Sequence, residues 1–297
     1  MKRNAISVSS IALLLLSTFC FSPPSCFNAS AQKEKKIIPT VPLLTRTTTR
    51  RERLRFGYGG TVTIVGAPSG SLTIEGWQRS EVDVSAEIEL QAPSAQDLDR
   101  LSVLNNVAID EDANHIRIIT TGTHDKKFLK RAAKDLPKSL IGLPWKVNYH
   151  IKVPAMTALD IDSGNGPIRL SGVEGAIRLN ALQTEADLSL TGSDVLVIIQ
   201  TGTVNFSVPA RAWHGLRAEI RLASGKLNLE LMPGFNGDID AEVLRTGEVK
   251  NNFPGFEARE RNSITPRSIR ARVGSGGATL TFTVGDGAIE ISSSGKQ

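Results

Sequence analysis

The sequence predicts an all-β protein, a β-solenoid of short strands with one small basic helical insertion. Three observations carry that prediction. Apolar and β-branched residues alternate with polar ones over short runs, the period of half-buried strands. A Ser or Thr anchor, usually followed by Gly, recurs ahead of such runs at intervals of 17 to 29 residues. Helical spacing, by contrast, is confined to a single segment.

The chain opens with Lys2 and Arg3, then an apolar run from Ile11 to Leu16 that continues through Phe19 and Phe21. Pro23 and Pro24 end it, and Ala29-Ser30-Ala31 supplies the small residues that signal peptidase requires. Residues 1–31 are therefore expected to be a secretory signal peptide, cleaved between Ala31 and Gln32. The apolar run is shorter than the roughly 20 residues a membrane span needs. A soluble, extracytoplasmic product follows, periplasmic, secreted or displayed at the cell surface, and not transmembrane after processing. Both cysteines, Cys20 and Cys26, fall in the removed segment. Stability of the mature chain is then expected from burial and backbone pairing, without disulfides.

The net charge of +5 is unevenly placed. Residues 32–55 hold eight basic side chains against Glu34 and Glu52. With few apolar residues and no clear period, this stretch is expected to be a basic disordered linker. From residue 56 onward the strand signal begins, and 56–297 is expected to be one β domain.

Thr61–Ile64, Ser71–Ile74 and Glu81–Leu90 place apolar residues at every second position, one face buried and one wet. The regular repeats, expected over about 155–293, carry their anchors at Ser163-Gly164, Thr201-Gly202, Ser224-Gly225, Thr246-Gly247 and Ser275-Gly276. A degenerate copy at Thr184-Glu185 lacks the glycine. A period near twenty with a Gly corner is the arithmetic of a solenoid: a turn cannot bury its apolar side alone, and stacked turns can. Gly suits the corner because a tight turn asks for positive φ. Between the strands at Ile116–Thr120 and Val147–Val153, the segment His124–Lys138 spaces Phe128, Leu129, Ala132, Ala133 and Leu136 as a helix would. Lys126, Lys127, Lys130 and Arg131 lie elsewhere on its wheel, a contact site for an anionic partner or a solvated cover over a sheet end.

Residues 60–64, 72–77 and 81–84, with Val153-Pro154 and Leu159–Gly172, resemble the bacterial "putative adhesin" domain family, a resemblance that covers roughly 56–293. It implies a single-stranded right-handed β-helix exported by bacteria, with no assigned molecular function. The chain departs from the pattern at Thr184-Glu185 and at the basic insertion.

Catalytic motifs are missing from the sequence: no nucleophile elbow, phosphate loop, dinucleotide glycine pattern or His-Glu-x-x-His. Four histidines, at 115, 124, 150 and 214, stand singly. Carboxylates at i, i+2 in Asp160/Asp162 and in Asp238/Asp240/Glu242 have the spacing for Ca²⁺ or acid–base work on sugars, yet solvent-facing acids alternating with core Ile explain them more simply. Trp77, Trp145 and Trp213 suit core-edge packing better than sugar stacking. The expectation is a non-enzymatic envelope-binding or structural module with no cofactor and no bound metal. Its partners would be cell-envelope polysaccharide, an anionic surface or another protein, and not nucleic acid. The alternative is a carbohydrate-active β-helix enzyme with Asp160, Asp162, Asp238 or Asp240 as acid and base.

Overall fold

The structure, a computed structural model, describes residues 42–112, 114–132, 136–261 and 263–295. The signal-peptide segment, its cleavage site at Ala29, Ala31 and Gln32, and residues 32–41 of the expected linker lie outside the described residues. Within them, the chain is predominantly β, with seventeen strands in one hydrogen-bonded sheet and a small helical insertion.

Alternation sets the core. In β2 (Thr61–Val65), β8 (Ala158–Asn165), β10 (Ile177–Ser189), β11 (Asp194–Val208), β12 (Arg217–Leu231), β17 (Thr279–Ser293) and β13 (Gly237–Asn251), strand pairs with strand in parallel. That register lines up Val62, Leu159, Ile177, Val195, Ala218, Leu280 and Ile239 in one inward column. A second column runs from Ile64 through Ile161, Leu179, Val197, Ile220 and Phe282 to Ala241. All these residues are buried. Each buried aliphatic side chain is worth about 1.5–3 kcal/mol of transfer free energy, so the columns supply the main cohesion.

The same register stacks the corners. Gly70, Gly166, Thr184, Gly202, Gly225, Gly287 and Gly247 occupy one column, adopting positive φ at every glycine. At Gly225 the backbone lies at φ +140, and a Cβ would overlap the carbonyl oxygen of Gly202. Close approach of backbone to backbone is thus what the repeated glycine secures. Thr184, in the position where the sequence lacks Gly, donates its hydroxyl to the Gly166 carbonyl at 2.7 Å. Two expected anchors are displaced. Ser163-Gly164 lies ahead of the corner, which falls at Asn165-Gly166, because Ser163 pairs with Ala181. Likewise the last corner is Asp286-Gly287, and Ser275-Gly276 sits in the turn before β17.

Strand order also departs from simple succession. β17 lies between β12 and β13, paired in parallel to both. At the other end β2 lies between β6 (His115–Thr121) and β8, and β3 (Leu72–Trp77) between β7 (Trp145–Pro154) and β9 (Ile168–Ser171). Antiparallel strands then close both ends. β5 (Asn106–Glu111) pairs β6, and β4 (Glu81–Ala92) pairs β7. β16 (Ser268–Val273) pairs β13, with β14 (Phe256–Ala258) and β15 (Ile264–Thr265) on its far side.

The expected disorder of residues 32–55 is corrected over its second half. Leu44–Arg55 forms β1, twelve residues paired antiparallel to β4 from Leu44↔Ala92 to Arg55↔Glu81. Thr45, Thr47, Thr48 and Thr49 favour extended backbone, and pairing with a complete neighbouring strand outweighs the charge. A helix outside the expected insertion is also present. α1 (Ala95–Leu104) was not foreseen; Ser94 caps it, accepting from the Asp97 N–H at 3.2 Å, and Leu98, Leu101 and Leu104 are buried. The expected helix appears as α2 (Lys126–Ala132), and α3 (Lys138–Ile141) follows.

Candidate functional site

The outer face of β1, β4 and β7 is rich in charged side chains. In β1, alternation directs Arg51, Arg53 and Arg55 to this face, opposite Ser85, Asp83 and Glu81 of β4. The next strand, β7, places His150 opposite Ser85 and Lys152 opposite Asp83. Arg79 joins them from the connection between β3 and β4, its guanidinium 5.1 Å from the centre of the Trp77 ring. The indole N–H of Trp77 donates to the Glu81 carbonyl at 2.8 Å, which fixes that connection.

Two clefts open on this face. One, of about 840 Å³, is lined by Arg53, Arg55, Phe56, Gly57, Arg79, Ser80 and Glu81. The second, of about 410 Å³, shares Arg53 and adds Arg51, Glu52, Asp83, Ser85, His150 and Lys152. Arg53 is held by Asp83 at 3.2 Å and by Glu81 at 3.7 Å, while Glu75 takes Lys152 at 3.5 Å and His150 at 3.4 Å. Arg51, Arg55 and Arg79 are exposed and meet no carboxylate among the described residues.

A third cleft, of about 830 Å³, follows the glycine corner and is lined mostly by uncharged residues. Ser69, Ser71, Asn148, Asn165, Gln183 and Thr203 line it, with Lys146 and Glu185. β7 joins it to the cationic face, since Lys146, Asn148, His150 and Lys152 share one side of that strand. Lys146 pairs with Glu89 at 2.9 Å, and that hydrogen bond holds the Glu89 carboxyl below the ordinary carboxylate range.

The residues singled out from sequence fare differently. Asp238 is paired with Arg272 at 3.4 Å, Asp240 with Arg259, and Glu242 with Arg270 at 3.9 Å, so each carboxylate faces a guanidinium. Asp162 accepts from Asn180 at 2.9 Å. Among the described residues no cluster of three or more His, Cys, Asp or Glu could hold a metal ion. Trp213 is buried, donating to the Ser193 carbonyl at 3.1 Å and packing on Phe206, while Trp145 lies 5.3 Å from the His124 ring. Lys126, Lys127, Lys130 and Arg131 are exposed on α2 and line none of the three clefts. Sequence reasoning missed the arginines of β1 as a site because it left that stretch without structure. Their alternation, Arg51, Arg53, Arg55, was the signal.

No protein-family model and no curated protein matches the chain. Among solved structures it is similar to a putative cell adhesion protein from Clostridium sporogenes, at 12% identity and a TM-score of 0.45, over 83% of this chain and 100% of that one. It is similar to a putative adhesin from Bacteroides fragilis at 10% identity and a TM-score of 0.31, over 83% and 97%. A putative lipid binding protein from Parabacteroides distasonis is similar at 10% identity and a TM-score of 0.22, over 83% and 96%. The resemblance seen in the sequence thus reaches distant, low-identity bacterial proteins that bear adhesin names. No helix of the described residues is long and apolar enough to cross a membrane.

Proposed function

We propose that this chain is an exported, non-enzymatic β-solenoid, a right-handed β-helix that serves the bacterial cell envelope as a binding or structural module. Its signal peptide ends at Ala31, and the mature protein begins at Gln32. The observation that carries the reading is the polar cleft along the stacked glycine corner. It presents hydroxyl and amide side chains from several strands on one rigid surface, the donor and acceptor set that sugar hydroxyls pair with. In-register parallel pairing from β2 to β13 supports the solenoid, since every turn buries its apolar side on the next. The paired state of Asp238 and Asp240 supports a structural role for those acids over catalysis.

The test is retention of the exported chain on isolated cell-envelope polysaccharide, together with N-terminal sequencing of the exported form. Retention without release of reducing ends, and a first residue at Gln32, are expected. Chain cleavage that disappears in an Asp160→Asn or Asp240→Asn variant would make the protein an enzyme instead.

A further inference from the structure

We infer that the cationic face of β1, β4 and β7 binds the oxyanion groups of an acidic linear polysaccharide, with Arg51, Arg55 and Arg79 as its main contacts. This rests on the proposed binding role and names the ligand chemistry. The argument begins with charge. An exposed arginine at a sheet edge is commonly a guard against edge-to-edge pairing, or half of an ion pair. Arg46, Arg50 and Arg53 fit that description, bound to Asp99, Glu52 and Asp83. Arg51, Arg55 and Arg79 do not, because each opens on a cleft with no carboxylate on its guanidinium among the described residues, that of Arg79 lying against the Trp77 ring. A planar guanidinium offers paired donors that fit carboxylate or sulfate two bonds at a time.

Geometry selects a linear ligand. Arg51 and Arg55 lie four residues apart on one face of one strand, about 13 Å along its axis. The two clefts are open and shallow and share Arg53, so together they form a trough along β1. A chain bearing charge at successive residues follows such a line, whereas a bilayer surface meets a protein as a plane. On the outer side of β7, His150 and Lys152 share a face with Asn148 and Lys146, which line the hydroxyl- and amide-bearing cleft at the glycine corner, a surface suited to a sugar chain rather than a lipid headgroup.

The experiment measures binding of the exported chain to dextran sulfate, to polygalacturonate, to neutral dextran and to phosphatidylglycerol vesicles, at low and at physiological salt. Binding to one or both acidic polymers, weakened by salt, is expected. Arg55→Gln/Arg79→Gln should weaken it about tenfold or more, and Arg51→Gln should weaken it further. Arg272→Gln at the opposite end should leave it unchanged. The preferred acidic polymer assigns the oxyanion as sulfate or carboxylate. An unchanged affinity in the Arg55/Arg79 variant, or stronger binding to vesicles than to either polymer, overturns the inference. If envelope polysaccharide is still retained in that case, the binding module stands and only this trough is wrong. If nothing is retained, both fail. The substituted side chains are exposed, and unchanged circular dichroism and melting confirm that the variants fold.

Discussion

At one end of the sheet, β2 and β3 lie inside the parallel ladder and antiparallel β5, β4 and β1 close it. At the other, β17 lies inside the ladder and antiparallel β16 closes it. Both closures are rich in arginine. At the C-terminal end Arg245, Arg259, Arg270 and Arg272 each meet a carboxylate, of Asp286, Asp240, Glu242 and Asp238. At the N-terminal end Arg51, Arg55 and Arg79 meet none among the described residues. Each closure pairs part of its charge internally, since Arg46, Arg50 and Arg53 also meet carboxylates and Arg261 and Arg267 meet none among the described residues. What sets the N-terminal end apart is that its unmatched arginines line two adjoining clefts. The difference separates arginines that hold an edge from arginines left available to a partner.

The glycine column connects the two ends, so it is where both are broken at once. Gly225→Val forces a branched side chain into φ +140 against the Gly202 carbonyl. A loss of about 3 kcal/mol or more is expected, read as a large fall in the denaturation midpoint. Gly234→Ala is the comparison: φ is +77 and nothing lies within 4 Å, so only about 1–2 kcal/mol should be lost.

Titration should tell the ends apart. Burial pushes the Tyr149 hydroxyl up to about 12, partly offset by its bond to Thr120 at 2.6 Å. Its folded value lies above the unfolded one, so its contribution is whole below about pH 10 and is lost as pH rises through about 12. That loss amounts to about 2–3 kcal/mol, and Tyr149→Phe should remove this alkaline sensitivity. At the C-terminal end, hydrogen bonds from Arg245 and then Thr246 hold the Asp286 carboxyl down at about 2. Here the folded value is lower, so the contribution is present above about pH 4 and fades as pH falls through about 2. The effect is small because the pair is exposed, and Asp286→Asn should flatten it.

The smallest effects concern the arginines themselves. Arg272→Gln should cost up to about 1 kcal/mol, the range of a surface ion pair. Arg55→Gln should leave the melting temperature unchanged, since no pair is lost.

Much of the ladder was legible in the sequence because burial imposes period two: Val195, Val197 and Ile199 inward is what alternation predicts. Corner positions were less legible. Ser-Gly dipeptides occur in ordinary turns too, and only the pairing of Asp286 with Ser224 distinguishes Asp286-Gly287 from Ser275-Gly276. β1 was hidden for a different reason. Its inward side carries Arg46, Thr48, Arg50 and Glu52, so no apolar alternation marks it, and its structure depends on β4. α1 had a readable start in Ser94-x-x-Asp97 with Leu98 and Leu101 behind it, masked by the strand pattern around it. The alternation of Arg51, Arg53 and Arg55 was legible, but Arg79 was not assignable to the same face, because it meets β1 only through the fold.

Hydrogen exchange of the exported chain tests the contrast between the ends most directly. β17, bonded on both sides, should exchange among the slowest strands together with β12, and β1, bonded to β4 alone, among the fastest. Protection of β1 equal to that of β17, or rapid exchange throughout Thr279–Ser293, would contradict the account.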